Sequence, residues 1–169
     1  MLLGKKERFA VEFELDANHG DAWLFGRFCY WIAGEQVGDY DAGTSLRDVL
    51  FQMKYIVGDA GKRSFPRLAE LPAPEIFRMV SDALNERNSD ISQYVSPDFA
   101  PAHLDVSIPM DIFGCWDIFL VEGLREARLI YRENEVADIK FVALTVGEFD
   151  SIIEATQNEL EKLLAQEDS

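Results

Sequence analysis

Ten consecutive residues, Trp23-Leu-Phe-Gly-Arg-Phe-Cys-Tyr-Trp-Ile32, closed by Gly34 and followed by Val37-Gly-Asp-Tyr-Asp41, limit the fold more than any other part of the chain. With a period of two, Trp23, Phe25, Arg27, Cys29 and Trp31 point one way and Leu24, Gly26, Phe28, Tyr30 and Ile32 the other. Neither face is polar, so the pattern predicts a strand covered on both sides. Trp23 and Trp31 are then core residues, whose truncation is expected to act through stability. The segment holds no nucleophile–base pair, metal-ligand spacing or phosphate loop, and it reads as scaffold.

The remaining order signals extend that strand into a sheet. Phe9-Ala-Val-Glu-Phe-Glu-Leu15 alternates, with Phe9, Val11, Phe13 and Leu15 on one face. Ala33-Gly-Glu-Gln36 reads as a hairpin into Gln36–Tyr40, giving a three-stranded antiparallel meander. Ser45 with Asp48 resembles a capping box and opens a helix on Leu46, Val49, Leu50, Met53 and Val57 that Gly58 ends. A second helix is expected from Pro74, with Ile76, Phe77, Val80 and Leu84 inward. Residues 89–111, broken by Pro97, Pro101 and Pro109, read as a long loop with a short strand near Leu104–Ile108. Strands at Trp116–Glu122, Ala127–Arg132 and Asp138–Leu144 follow, and Thr145 with Glu148 suggests the cap of a last helix. The expected class is α+β, a mainly antiparallel sheet packed against about three helices.

At 169 residues, without linker or repeat, the chain is expected to form one domain spanning 1–169. Its 31 acidic and 16 basic side chains leave a net charge of −15. Such a charge disfavours phosphate backbones and anionic membranes and speeds encounter with a basic protein, although solubility alone can also select it. Carboxylates standing where phosphates would be, a nucleic-acid mimic, are compatible with the same balance. No apolar run reaches the length of a membrane span, and the start lacks the apolar stretch of a secretory leader, so a cytoplasmic protein is expected. Cys29 and Cys115 both lie in apolar runs and are expected to be buried free thiols.

Catalytic constellations are sparse. The only histidines stand in two His-x-Asp triplets, His19-Gly-Asp21 and His103-Leu-Asp105, which could unite as a two-histidine, two-carboxylate metal site for a small hydrolase. That spacing also suits ordinary turn chemistry. Glu12 with Glu14, and Asp39 with Asp41, are same-face carboxylate pairs that a solvated surface explains as well as acid–base work does. Arg27, alone among apolar residues on its face, is expected to stack on an indole or pair with a carboxylate.

Taken together, Phe9-Ala-Val-Glu-Phe-Glu, the Trp23–Ile32 strand, Gly34, Val37-Gly-Asp39 and the leucine-rich helix resemble the small immunity proteins of bacterial polymorphic toxin and contact-dependent growth inhibition systems. The likeness covers residues 9–57. It implies a cytoplasmic, non-enzymatic antidote that binds one cognate toxin, often a nuclease with a basic groove, and blocks its active site or its access to substrate. No metal or cofactor is implied, and no toxin-contact residue is carried over. The residues themselves suggest Glu35, Asp39, Tyr40 and Asp41, at the hairpin and its exit, as toxin-binding candidates: in an extended segment the two aspartates share one side and Tyr40 takes the other. A metal-dependent hydrolase using the triplets and a generic acidic adaptor or chaperone are the competing readings.

Overall fold

Alternation in Phe9–Leu15 and Phe25–Ile32 drives their pairing, and a computed structural model of residues 1–169 shows them as neighbours β2 and β3, in register from Phe9 opposite Ile32 to Leu15 opposite Gly26. Leu2–Gly4 adds as β1 beside β2, Glu35–Val37 as β4 beside β3, and the short β5 (Thr44–Ser45) pairs with the start of β3. All pairings are antiparallel. The β3–β4 turn is the two-residue kind that needs left-handed backbone at both positions, and Ala33 (φ 52°) and Gly34 (φ 83°) supply it. Helix α1 (Leu46–Gly58) starts where expected, its Asp48 amide donating to the Ser45 hydroxyl at 3.2 Å.

The chain forms two compact units. The first joins Met1–Gly58, Ile108–Cys115 and Glu148–Ser169; the second joins Asp59–Ser107 and Trp116–Gly147. In the first unit one sheet face is fully buried. Phe9, Val11, Phe13, Phe28, Tyr30 and Ile32 pack there with Phe113 and with the last helix, Glu148–Glu167, through Phe149, Ile153 and Leu160. Phe9 and Phe149 lie 4.6 Å apart by ring centroids, and Tyr30 and Phe113 4.8 Å. Arg8 makes a two-pronged bond to Glu148 at 2.8 and 2.6 Å, which fixes the last helix at its first residue.

The second unit contains a short helix, α2 (Pro66–Ala69), a longer one, α3 (Ala73–Leu84), and a second antiparallel sheet, β6 (Trp116–Glu122), β7 (Glu126–Glu133) and β8 (Lys140–Thr145). Ile76, Phe77, Met79 and Val80 of α3 pack on Phe119, Val121 and Ile130. The last helix of the chain is α4. The expected loop carries two single turns of 3₁₀ helix in this unit, at Asp90–Gln93 and Pro101–Leu104, and a third, Asp111–Phe113, follows it in the first unit. The expected strand at Leu104–Ile108 shrinks to one bridge, Asp105 with Phe119, because prolines at 101 and 109 remove donors on either side. The α+β class, with antiparallel sheets and three substantial helices, is as expected.

Candidate binding face

The outer face of the first sheet departs from the sequence pattern. Strand β3 starts at Phe25, and Asp21–Trp23 form a 3₁₀ turn. Leu24 takes left-handed backbone (φ 53°), turning its own side chain into the core and leaving Trp23 outside, 50% exposed. Phe25 is 45% exposed and Arg27 is exposed; of the β3 residues on this face only Cys29 is buried outright, with Trp31 half-buried. The strand is therefore covered on one side alone, and the core assignment of Trp23 does not hold.

Polar contacts organise what lies on that face. Trp31 Nε1 donates to Glu12 at 2.6 Å, and Lys6 stands 3.0 Å from the same carboxylate and 4.0 Å from the indole centre. Burial opposes ionisation of Glu12, but the bonds from Lys6 and Trp31 outweigh it and hold the carboxyl below its usual range. Glu14 faces Arg27 across the strands. Arg27 lies 6.0 Å from the Tyr40 ring, a phenol in place of the indole expected, and stands opposite Glu14 in the strand register. Tyr40 donates to Glu14 at 3.5 Å, and burial followed by the nearby Glu12 and Glu14 pushes its phenol up to about 12.

Of the four candidates from the sequence, Asp39, Tyr40 and Asp41 lie along one border of this face, whereas Glu35, opposite Ile32, shares the side of the sheet that Ile32 buries. Glu35 begins β4 directly after the hairpin. The segment after Val37 is a turn and not the extended run expected: the Asp39 carboxylate accepts from the Ala42 amide at 3.1 Å, while the Asp39 amide donates to Ile112 at 2.8 Å. Tyr40 therefore leans over the sheet, and Asp39 and Asp41 remain exposed at its rim. Glu12, Glu14, Trp23 and Phe25 join the same surface. The first two were visible in the sequence as a same-face pair, and so were Trp23 and Phe25, whereas alternation carries no signal that this face is open to solvent.

The groups proposed for catalysis have other surroundings. His19 lies 3.6 Å from Glu167 in the first unit, and His103 3.9 Å from Asp59 in the second. Asp105 takes the Ser107 amide and hydroxyl, and burial raises its carboxyl despite them. No group of three or more His, Cys, Asp or Glu is placed to hold a metal ion. Burial, then the charge of Glu12, pushes the Cys29 thiol up to about 12, the opposite of an activated nucleophile. Cys115, expected to be buried, is exposed. Alkylation of the native protein near pH 8 should therefore modify one thiol, at Cys115, and the denatured protein two; mass spectrometry counts them, and modification of native Cys29 contradicts the burial described.

This surface, acidic and aromatic without a reaction centre, suits binding. Comparison with known proteins gives the family: the model of Immunity protein 42 matches residues 1–159. The chain belongs to the Immunity protein 42 family. Its role is accordingly that of an antidote, and the match extends well beyond the first third on which the sequence likeness rested. Among solved structures, the crystal structure of CdiI from Burkholderia dolosa AUO158 shares the fold, with a TM-score of 0.74 and 22% identity over 94% of this chain and 99% of that one. Comparison with curated proteins gives no match. No helix is long and apolar enough to cross a membrane.

Proposed function

We propose that this member of the Immunity protein 42 family neutralises a basic toxin, a nuclease, by seating it on the outer face of the first sheet so that the toxin's substrate is shut out. One observation carries the reading: a sheet face left uncovered by its own chain, with Glu12, Glu14 and Tyr40 on it and Asp39 and Asp41 along the adjoining turn. A sheet face that has no core to cover is free to carry recognition, and carboxylates around a rigid aromatic are suited to lysine and arginine. The net charge of −15 adds long-range attraction toward a groove built to hold phosphate. Neither a metal nor a cofactor enters this role.

Charge reversal tests it. Asp39→Lys with Asp41→Lys should slow association with the cognate toxin about tenfold at low salt and flatten the salt dependence of the rate, with melting temperature preserved. Asp41→Lys alone, which spares the Asp39–Ala42 turn, should give a smaller change in the same direction. Stopped-flow mixing across a salt series decides it: an unchanged rate and salt slope would move the toxin-binding acids elsewhere, and a toxin left active by excess wild-type protein would remove the antidote reading.

A further inference from the structure

We infer that the stacked pair Trp23 and Phe25 is the anchor that holds the toxin, filling an apolar slot ringed by basic side chains; this rests on the antidote reading above. The two rings are parallel within 5° with centroids 6.3 Å apart, and about half of each residue is open to water. Side chains of this size and rigidity dominate binding energy where they enter a partner's pocket.

Both residues are held firmly. The Trp23 carbonyl accepts from the Ser45 hydroxyl at 2.8 Å, the Phe25 amide donates to His19 at 2.7 Å, and the Asp16 amide donates to the Phe25 carbonyl at 3.0 Å. Leu24 between them gives its carbonyl to the Leu46 amide at 2.9 Å. The Arg47 guanidinium lies over the indole, 3.8 Å from its centre, and is tied in turn to Asp48 at 3.1 Å. Two residues with side chains, Asp21 (φ 52°) and Leu24 (φ 53°), adopt left-handed backbone, a strained conformation that the surrounding bonds enforce. The strained backbone and its bonds thus present an indole to solvent on a rigid support, and the ordering cost of binding is met in advance.

Charge selects the occupant. Glu14, Asp16 and Asp21 are exposed around the pair, with Asp48 behind Arg47. A second copy of this chain would bring the same carboxylates against themselves, whereas a basic toxin brings lysine and arginine to them. The pair therefore supplies contact area while the ring of acids sets the partner's charge.

The test uses the cognate toxin domain, co-expressed with this chain and separated from it in denaturant. Trp23→Ala and, separately, Phe25→Ser should each weaken toxin binding by at least ~30-fold, the loss expected of a central anchor. Their melting temperatures should stay within ~3 °C of wild type, and Trp23→Tyr should keep most of the affinity. A readout that leaves the pair intact is the emission of Trp23 as sole indole in the double variant Trp31→Phe, Trp116→Phe: it should shift to the blue when toxin is added. Wild-type binding with undiminished affinity in Trp23→Ala and no blue shift would overturn the anchor while leaving the antidote reading in place. Failure of the wild type to bind the toxin would overturn both. A blue shift that grows with protein concentration in the absence of toxin, accompanied by dimers in sedimentation, would assign the pair to self-association instead. Should either variant melt early, the fluorescence alone decides.

Discussion

Phe149→Ala is expected to lower the unfolding free energy by about 3–5 kcal/mol, the range for truncating a fully buried phenylalanine. Phe149 is 2% exposed, its ring lies 4.6 Å from Phe9 and 6.4 Å from Tyr30, and it stands in the first turn of α4, which closes the buried face of the first sheet. Truncation removes ring contacts on both sides and leaves a cavity that the paired strands β2 and β3 cannot collapse to fill. Phe149→Leu, which keeps most of the volume, should lose clearly less. Urea titration measures both: the midpoint should fall while the slope is kept, since a changed slope would mean that the unfolded or native state had altered as well. A loss below 1 kcal/mol in the alanine variant would show that α4 contributes little to holding the sheet.

Gly26→Ala is the second large effect, and its cause is steric. A methyl group at this position would lie 2.2 Å from the Glu14 carbonyl oxygen and 3.0 Å from Leu46 Cδ1. The first neighbour is backbone of the paired strand, so relief requires β2 and β3 to separate where their register ends at Leu15 and Gly26. Overpacking of this kind costs about 3 kcal/mol. Gly58→Ala is the contrasting case, because a methyl there meets nothing within 4 Å and the residue ends a helix without left-handed backbone. That variant should be neutral or slightly stabilised. Equal melting temperatures for the two alanine variants would show that β2 and β3 can part at this end without cost. Since Gly26 lies between Phe25 and Arg27, its substitution should also weaken toxin binding in proportion to the strand shift.

Much of this was legible because local rules and packing agree. Alternation located β2 and β3, the Ala33-Gly34 pair located their hairpin partner β4, and Ser45 located the start of α1, each a short-range signal that tertiary structure had no reason to override. Trp23 and Phe25 failed for the complementary reason. A period-two reading presumes continuous extended backbone and cover over every apolar face; Trp23 and Phe25 do share one side, opposite the buried Leu24, but that side stays about half open to water. The same presumption made Asp39–Asp41 extended, whereas the Asp39 carboxylate closes a turn on Ala42. Cys115 was misjudged because its apolar neighbours Phe113 and Trp116 flank a 3₁₀ turn and a strand start, where burial need not extend to the residue between. The short strands β1 and β5 carry too few residues for any periodicity to register.

The first unit begins at Met1 but is completed only by Glu148–Ser169, while every residue of the second has been joined by Gly147. On a ribosome adding about 5–20 residues per second, strands β1 to β5 and helix α1 would wait roughly 5–20 s for the helix that covers Phe9 and Tyr30. The order of synthesis is thus reversed in the order of completion: the later unit can finish first, and the sheet that bears the proposed binding face becomes secure last. Chains halted before α4 are expected to offer a finished second unit and no protection, so that the cell's stock of antidote counts only fully translated molecules.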